Sequence, residues 1–368
     1  MSKAAELAAL IGSQSALSNR NILINGAMQV AQRSTSETGL GSASGYHTVD
    51  RWHTTAVNTA GRFTQEQSTD APSGFAFSTK LSCTTADTSI AAGELVKFRQ
   101  KIEAQNLIRF AKGTSDAKKY ALSFYVKGNA NATYVAELYD ADNARQISKT
   151  FNVTTSWNRV ELYFPADTLG ALNNDNGIGI IMQIYLHAGS TYTSGTLNSS
   201  AWAASTDANR AVGISSFFDS TSRTFFITGV QLEVGEQATP FEHRSFGDEL
   251  AACQRYYQKT FAYATVPAQN LDTYSGSIMG VARSVTSTSA WEPCGTWDLA
   301  VSMRATPSIV SFNPYVANAE WGNSSAVSSS NFRVLASTAD RISCDNTGNT
   351  VNFGSNNPAI QLTAEAEL

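Results

Sequence analysis

Residues 225–257 read FFITGVQLEVGEQATPFEHRSFGDELAACQRYY, and three kinds of element follow one another in this stretch. The first ten residues are largely apolar, and their alternation slips once at Gly229, which predicts a strand with a β-bulge. Gly235 and Pro240 then predict a turn. Residues 245–248 form a capping box, so we expect a helix to begin there. The stretch therefore predicts the last strand of one β domain, a loop, and a helix that leads into a second domain.

The predicted helix carries one apolar stripe of about three turns, because its apolar side chains recur at spacings of four, three and four. The residues of this stripe are Phe246, Leu250, Cys253 and Tyr257. Such a stripe either packs on its own domain or forms an interface between subunits. The spacing of the apolar residues does not distinguish these two possibilities. The four residues are therefore candidates for a subunit or domain interface.

The remaining pattern predicts an all-β protein. Short segments of alternating or continuous apolar residues are separated by turn-rich segments without long helices, at 121–127, 133–139, 160–164 and 178–186. This spacing is typical of an antiparallel sandwich. A second set of candidate strands lies at 277–285, 295–301, 307–312, 332–335, 350–353 and 360–363. We predict an antiparallel jelly-roll sandwich and a second C-terminal β-sandwich, with a short N-terminal helix and a helix linking the domains.

The predicted domain boundaries follow from these elements. They are 1–20 for the N-terminal helix and a polar linker, 21–244 for the jelly roll, 245–258 for the linking helix, and 259–368 for the C-terminal sandwich. Within the jelly roll, the Asp50-Arg51-Trp52 segment predicts an ion pair beside a core tryptophan, rather than a catalytic group.

Composition and charge exclude several classes of function. Only 15% of the residues are charged and the net charge is −4, so no basic field is available to bind nucleic acid. No apolar run approaches the ~20 residues that span a bilayer, so we expect no membrane insertion. The four cysteines lie far apart and do not form a zinc-binding pattern. We expect buried thiols, with a bridge between Cys294 and Cys344 as the alternative, and no metal or cofactor.

Catalytic motifs are missing from the chain. It has no GxSxG, HExxH, P-loop or GxGxxG pattern, and its four histidines are scattered, with His47 and His53 as the nearest pair. We therefore expect no enzymatic activity and name no catalytic residue. The paired carboxylates of a glycan hydrolase are brought together only in space, so this third possibility stays open as the weakest.

Several motifs resemble a module found in virion proteins of tailed bacteriophages, many of them from marine and aquatic phages. The matching segments are VQLEVG (230–235), ATPFEHRS (238–245), CQRYY (253–257), NILINGAM (21–28), VDRW (49–52), LSFYVK (122–127), MRATP (303–307) and TAEAEL (363–368). Members of this group are described as tail-fibre, tail or other virion structural proteins. Residues from 21 to about 234 also resemble the jelly roll of carbohydrate-binding modules, whose closing strand has the character of residues 227–234. Together these segments extend over nearly the whole chain.

This resemblance implies a virion structural protein that is made in the host cytoplasm and lies at the virion surface, on the tail rather than the head. We expect a tail-fibre-like or tail-adaptor subunit, assembled as a homotrimer, whose β domains contact host-surface glycan. The alternative is a head-fibre or decoration protein that uses the same modules on the capsid. The sequence does not separate these two locations.

Candidate contact residues follow from these expectations. The N-terminal segment has apolar residues at helical spacing, and we expect Leu7, Leu10 and Ile11 to attach it to another virion protein. Two long polar loops, 188–213 and 318–331, carry aromatic side chains that could stack on a sugar: Tyr192, Trp202 and Trp321. Each tryptophan could equally belong to a core, and this alternative is left open.

Overall fold

The structure is a computed structural model that describes residues 19–280, 292–322, 329–346 and 358–368. Antiparallel strands dominate it, as the periodicity predicts. Its contacts divide the chain into two compact units. The first comprises the chain to Ala31, Thr35–Phe246 and Leu368, and the second comprises Gln32–Ser34 and Gly247–Glu367.

The first unit is a jelly-roll sandwich of two antiparallel sheets. Its strands, numbered in chain order, are β1 (Ser36–Leu40), β2 (Gly45–Tyr46), β3 (His53–Val57), β4 (Arg62–Ser68), β5 (Ser78–Thr85), β6 (Leu95–Glu103), β7 (Tyr120–Gly128), β8 (Ala132–Asp140), β9 (Arg145–Val153), β10 (Asn158–Phe164), β11 (Ile178–Ala188), β12 (Ala203–Ala204) and β13 (Thr224–Val234). The order in the first sheet is β1-β4-β5-β13-β7-β10, and the order in the second is β12-β9-β8-β11-β6-β3-β2. Short helical segments lie at Ala104–Phe110, Ser190–Thr193 (α1) and Asp207–Asn209.

Side chains from both sheets form one apolar core between them. Trp52 is fully buried there and stacks on Phe98 with ring centroids 4.9 Å apart, which confirms its predicted place in the core. The strands predicted at 121–127, 133–139, 160–164 and 178–186 are confirmed as β7, β8, β10 and β11. The bulge predicted in β13 is also present, as a register shift between Thr228 and Gln231.

The apolar run Ile22-Leu23-Ile24 in the NILINGAM segment predicts the first strand of the β pattern, but the segment is not a strand. It is instead held against β13 by hydrogen bonds from both backbone and side chain. The buried Asn21 side chain donates to the Val230 carbonyl oxygen (3.0 Å) and accepts from the Leu232 amide (3.0 Å). Gly26 lies so close that an added Cβ would stand 2.2 Å from the same carbonyl oxygen. A side chain at this position would therefore collide with backbone.

The segment that follows β13 completes this contact. The Glu242 carboxylate accepts from the amides of Arg20 (3.1 Å) and Asn21 (2.8 Å), and Arg244 donates to the carbonyl oxygens of Asn21 and Leu23. Burial acts to raise the pKa of Glu242, but these amide donors hold it below its ordinary value. The motifs NILINGAM, VQLEVG and FEHRS therefore meet in space and close the sandwich. In the first unit, the residues that carry the resemblance have a structural role.

The second unit is built around its last strand. Its elements are α2 (Phe246–Gln254), β14 (Tyr257–Lys259), β15 (Ile278–Met279), β16 (Glu292–Asp298), β17 (Ser308–Phe312), β18 (Trp321–Gly322), β19 (Ser329–Ser330), β20 (Phe332–Ser337), β21 (Arg341–Asn346) and β22 (Ala359–Glu365). Strand β22 pairs with β14, β15, β17 and β18, while β16, β21 and β20 form a separate three-stranded sheet. The predicted strand at 350–353 lies outside the described residues. Within the parts of the chain that the structure describes, no helix has the length and apolar character needed to cross a membrane.

Candidate functional site

The outward face of the second sheet carries a row of polar side chains in direct register across six strands. Pairing between neighbouring strands gives the order Tyr46, His53, Arg99, Gln183, Glu137 and Ser148. Residues that face each other across strands have Cβ atoms about 5 Å apart, so these side chains form a continuous strip. We call these six residues the cross-strand row. In β6, Val96, Phe98 and Ile102 are in the core, so Lys97, Arg99 and Lys101 point outward.

Near one end of the row, Glu137 forms an ion pair with Arg210. The fully buried Glu137 carboxylate accepts from Arg210 through Nε (3.0 Å) and Nη2 (2.8 Å), and from the Tyr185 hydroxyl (3.3 Å). The amide of Gln183 also donates to Glu137. Burial acts to lower the pKa of Arg210, but the adjacent Glu137 charge more than offsets this and raises it. Glu137 and Arg210 therefore neutralise each other.

The other end of the row is rich in unpaired positive charge. Arg99 Nε is buried without a hydrogen-bond partner among the described residues. Lys97, two residues before Arg99 in β6, contacts the Tyr185 ring with its Nζ 5.2 Å from the centroid. Burial, assisted by the positive charge of Arg210, lowers the pKa of Lys97 to about 7. Burial, together with the charges of Arg99 and Lys101, lowers the pKa of His53 to about 3. This end of the face is electropositive, and the burial of its positively charged groups costs stability.

Residues 189–215, which we call the cover segment, fold over part of this face. They contain α1, β12 and the Asp207–Asn209 turn. Tyr192, Leu197 and Ile214 pack on an apolar cluster that includes Leu95, Val135 and Tyr185 from the sheet. Arg210 reaches from this segment to Glu137, with its guanidinium carbon 4.7 Å from the Tyr139 ring centroid. Beyond the cover, the face stays partly exposed at Tyr46, Arg99, Lys101 and Tyr139.

The structure corrects the sugar-stacking hypothesis for both tryptophans. Trp202 is only 7% exposed, and its indole NH donates to the Pro165 carbonyl oxygen (2.9 Å). Trp321 is fully buried and donates to the Asp345 carbonyl oxygen (3.1 Å). Neither ring presents a face to solvent, so neither can stack on a sugar. Tyr192 is half-buried in the cover segment, where its ring contributes to packing on the sheet.

The four candidate interface residues do not form one stripe. The helix α2 ends at Gln254, so Tyr257 lies in β14 instead. Cys253 and Tyr257 are buried, Leu250 is half-buried, and Phe246 is 46% exposed. Phe246 is therefore the most exposed of the four. The candidate attachment residues Leu7, Leu10 and Ile11 lie outside the described residues.

Sequence reasoning missed the cross-strand row, although one signal for it was present. Residues 95–103, LVKFRQKIE, alternate apolar and polar side chains, which is the pattern of a strand with one outward polar face. What the pattern does not show is which residues of other strands lie beside this face. His53 and Ser148 join Arg99 only through the pairing of five strands.

A second cluster combines Asp87, Glu94 and His187, whose ligand atoms lie within 4.8 Å of one another. By residue type these three could hold a metal ion. The imidazole, however, already contacts Ser216 Oγ through Nδ1 (2.8 Å) and Glu94 Oε2 through Nε2 (3.2 Å). Asp87 accepts from Thr59 and Ala60; burial acts to raise its pKa, but these donors hold it below its ordinary value. All three residues are buried, so we assign them to holding the β5–β6 connection in place.

This assignment predicts that added zinc or manganese leaves the thermal unfolding midpoint of the protein unchanged. The physical reason is that a metal must displace hydrogen bonds that are already made, whereas an ion that binds the native state would raise stability. His187→Ala should lower the midpoint with or without metal, because it leaves the Glu94 carboxylate buried without its partner. A metal-dependent rise that disappears in His187→Ala would assign the cluster as a metal site.

Comparison with known proteins gives structural likenesses only. No protein-family model matches the chain, and no curated protein matches it. Among solved structures, a carbohydrate-binding module of family 4 aligns at 11% identity over 57% of this chain and 98% of its own, with a TM-score of 0.31. A family 61 module in complex with β-1,4-galactotriose aligns at 11% identity over 59% of this chain and 100% of its own, with a TM-score of 0.28.

A third likeness is to the family 11 module from Clostridium thermocellum in complex with a β-1,3-1,4-mixed-linked tetrasaccharide. It aligns at 10% identity over 57% of this chain and 99% of its own, with a TM-score of 0.27. All three are carbohydrate-binding modules. At this identity and these TM-scores, the likenesses carry no argument about the ligand of this chain.

Proposed function

We propose that this chain is a structural protein of the surface of a tailed-phage particle and that the outward face of its second sheet binds host-surface glycan. The face itself carries the binding part of this proposal. A sugar is recognised by a few convergent polar groups beside aromatic rings, and the cross-strand row supplies such groups next to Tyr46 and Tyr139. Both tyrosines stay partly exposed beyond the cover segment.

The virion part of the proposal rests on the sequence resemblance. The matching motifs extend from residue 21 to residue 368 and favour a tail-fibre-like or tail-adaptor subunit, assembled as a homotrimer. In this proposal the N-terminal segment attaches to another virion protein, and the β units point outward. A head-fibre or decoration protein is the alternative location for the same binding face.

Glycan binding can be tested with the full chain on an array of bacterial surface polysaccharides. We expect binding to a subset of them, and we expect Tyr139→Ala to weaken it several-fold because the mutation removes a partly exposed ring beside the row. Tyr125→Ala is the matched control, since Tyr125 is partly exposed on the outward face of the other sheet. Absence of binding to every polysaccharide, or an equal loss in both variants, would contradict the proposed face.

Location and assembly need separate measurements. Immunogold labelling of intact virions with an antibody against residues 259–368 should place gold on the tail. Gold over the capsid would support the head-fibre alternative, and no label on the particle would overturn both. Light scattering should give three times the mass of one chain, and a monomer at micromolar concentration would contradict the trimer.

A further inference from the structure

On the outward face of the second sheet, two cations have no carboxylate partner among the described residues. Arg210 is matched by Glu137 and by Asp207, whose carboxylate lies 3.2 Å from Arg210 Nη1. Lys101 donates to the backbone oxygen of Leu368. Lys97 and Arg99 remain, and neither forms an ion pair with a carboxylate anywhere in the described ranges.

These two cations lie on one strand, two residues apart, so their Cα atoms are about 6.6 Å apart on the same face. That separation allows both groups to reach a single carboxylate or sulfate. Arg99 is partly exposed and Lys97 is only 7% exposed, so an incoming anion meets the guanidinium first. A guanidinium binds planar anions through two parallel hydrogen bonds, which makes Arg99 the better anchor.

A neutral acceptor lies beside these cations. Gln183 pairs directly with Arg99 across β6 and β11 and is 1% exposed. Its Nε2 is used by Glu137, whereas its Oε1 has no hydrogen-bond partner among the described residues. Buried polar atoms are nearly always paired, so an unpaired acceptor next to an unpaired donor needs an explanation. A sugar that carries both an anionic group and hydroxyl groups would satisfy Arg99, Lys97 and Gln183 together.

We propose that the glycan bound by the cross-strand row is acidic, with its carboxylate or sulfate held by Arg99 and Lys97 and one of its hydroxyl groups donating a hydrogen bond to Gln183 Oε1. This inference rests on the proposed glycan-binding function and deepens it by naming the ligand class. Burial first, and neighbouring positive charge second, lower the pKa values of Lys97 and His53. A bound anion would favour the protonated form of both groups, which supports the inference.

The test compares matched polymers that differ in charge, using the full chain. Polygalacturonate is compared with its methyl ester, and dextran sulfate with dextran, by biolayer interferometry at fixed ionic strength. We expect the charged member of at least one pair to bind about tenfold more tightly or better, as charge-assisted hydrogen bonds predict. Preference for polygalacturonate alone assigns a carboxylate, and preference for dextran sulfate alone assigns a sulfate.

Two variants and one control test whether Arg99 and Lys97 cause the preference for the charged polymer. Arg99→Gln and Lys97→Met should reduce binding of the charged polymer to the level of its neutral partner. Lys119→Gln makes a similar charge change at an exposed residue just before β7 and should leave binding unchanged. Circular dichroism and unfolding midpoints establish that each variant is folded before its affinity is compared.

The pH dependence gives an independent readout. Affinity of the wild type for the charged polymer should fall as pH rises from 6 to 9, because free Lys97 loses its proton near pH 7. Lys97→Met should abolish this slope. The groups that face Lys97 are Thr55, Arg99, Glu137, Tyr185, Asp207 and Arg210.

The outcomes separate this inference from the function on which it rests. Equal binding of charged and neutral polymers would overturn the acidic-ligand inference and leave glycan binding intact. Binding of neither kind would overturn both. Equal binding of dextran sulfate and single-stranded DNA, with no preference for polygalacturonate, would mean that the face attracts polyanions without recognising sugar, and would also overturn the inference.

Discussion

Replacing Asn21 with alanine is expected to destabilise the first unit by about 3 kcal/mol or more. The buried side chain makes three hydrogen bonds, from Nδ2 to the Val230 carbonyl oxygen and to Oδ1 from the amides of Leu23 and Leu232. Alanine leaves these three backbone groups without their partner. Each unsatisfied buried group costs about 1–3 kcal/mol, against a total stability of about 5–15 kcal/mol for a typical domain.

Urea unfolding followed by circular dichroism measures this effect, with Asn174→Ala as the control. Asn174 is exposed in the turn before β11, so the same chemical change should leave the midpoint within experimental error. Equal midpoints for the two variants would show that the Asn21 contacts to β13 contribute little. The fold would then depend on the sandwich core alone.

Replacing Lys97 with methionine is expected to stabilise the protein at pH 6 by an amount on the order of a few kcal/mol, and to lose this advantage towards pH 10. The pKa of Lys97 is about 7 in the folded protein, below its ordinary value of 10.5. Between these two values the unfolded chain holds a proton that the native state lacks, so the stability of the wild type rises with pH there. Below pH 7 the wild type bears the full cost of a buried ammonium group, which methionine removes.

Chemical denaturation at pH 6, 8 and 10 tests this prediction against Lys119→Met. Lys119 is an exposed residue paired with Glu236, so its replacement should change stability little at any pH. A stability difference between Lys97→Met and wild type that is the same at all three pH values would contradict a lowered pKa for Lys97. A residue that costs stability is typical of a binding site.

Sequence periodicity was sufficient to predict the positions of many of the strands. The apolar alternation of β7, β8 and β10 and the continuous apolar run of β11 correctly placed these elements, and Gly229 correctly marked the bulge in β13. The same reasoning was wrong for Ile22–Ile24, whose apolar run predicts a strand. The Ile22 amide donates to the Leu232 carbonyl oxygen of β13, and the Ile24 amide donates to Gln100 Oε1 of β6, but the run is not a strand. An apolar run does not distinguish such contacts from strand pairing.

Aromatic residues in polar loops were the weakest basis for a site. Trp202 and Trp321 were chosen because small hydroxyl residues surround them in sequence, yet both are buried. A loop of this composition can fold back on its own sheet, as the cover segment does through Tyr192 and Arg210. Exposure is a property of the folded chain, so local composition could not predict it.

The sequence by itself determined the all-β class and the positions of many of the strands. Only the tertiary structure decided that Arg99 lies between His53 and Gln183, and that Arg210 neutralises Glu137 while Lys97 keeps its charge unpaired. The physical reason is that strand alternation is local, being set by the two-residue repeat of the backbone. Register across strands, and the loop that covers them, depend on contacts between residues far apart in the chain.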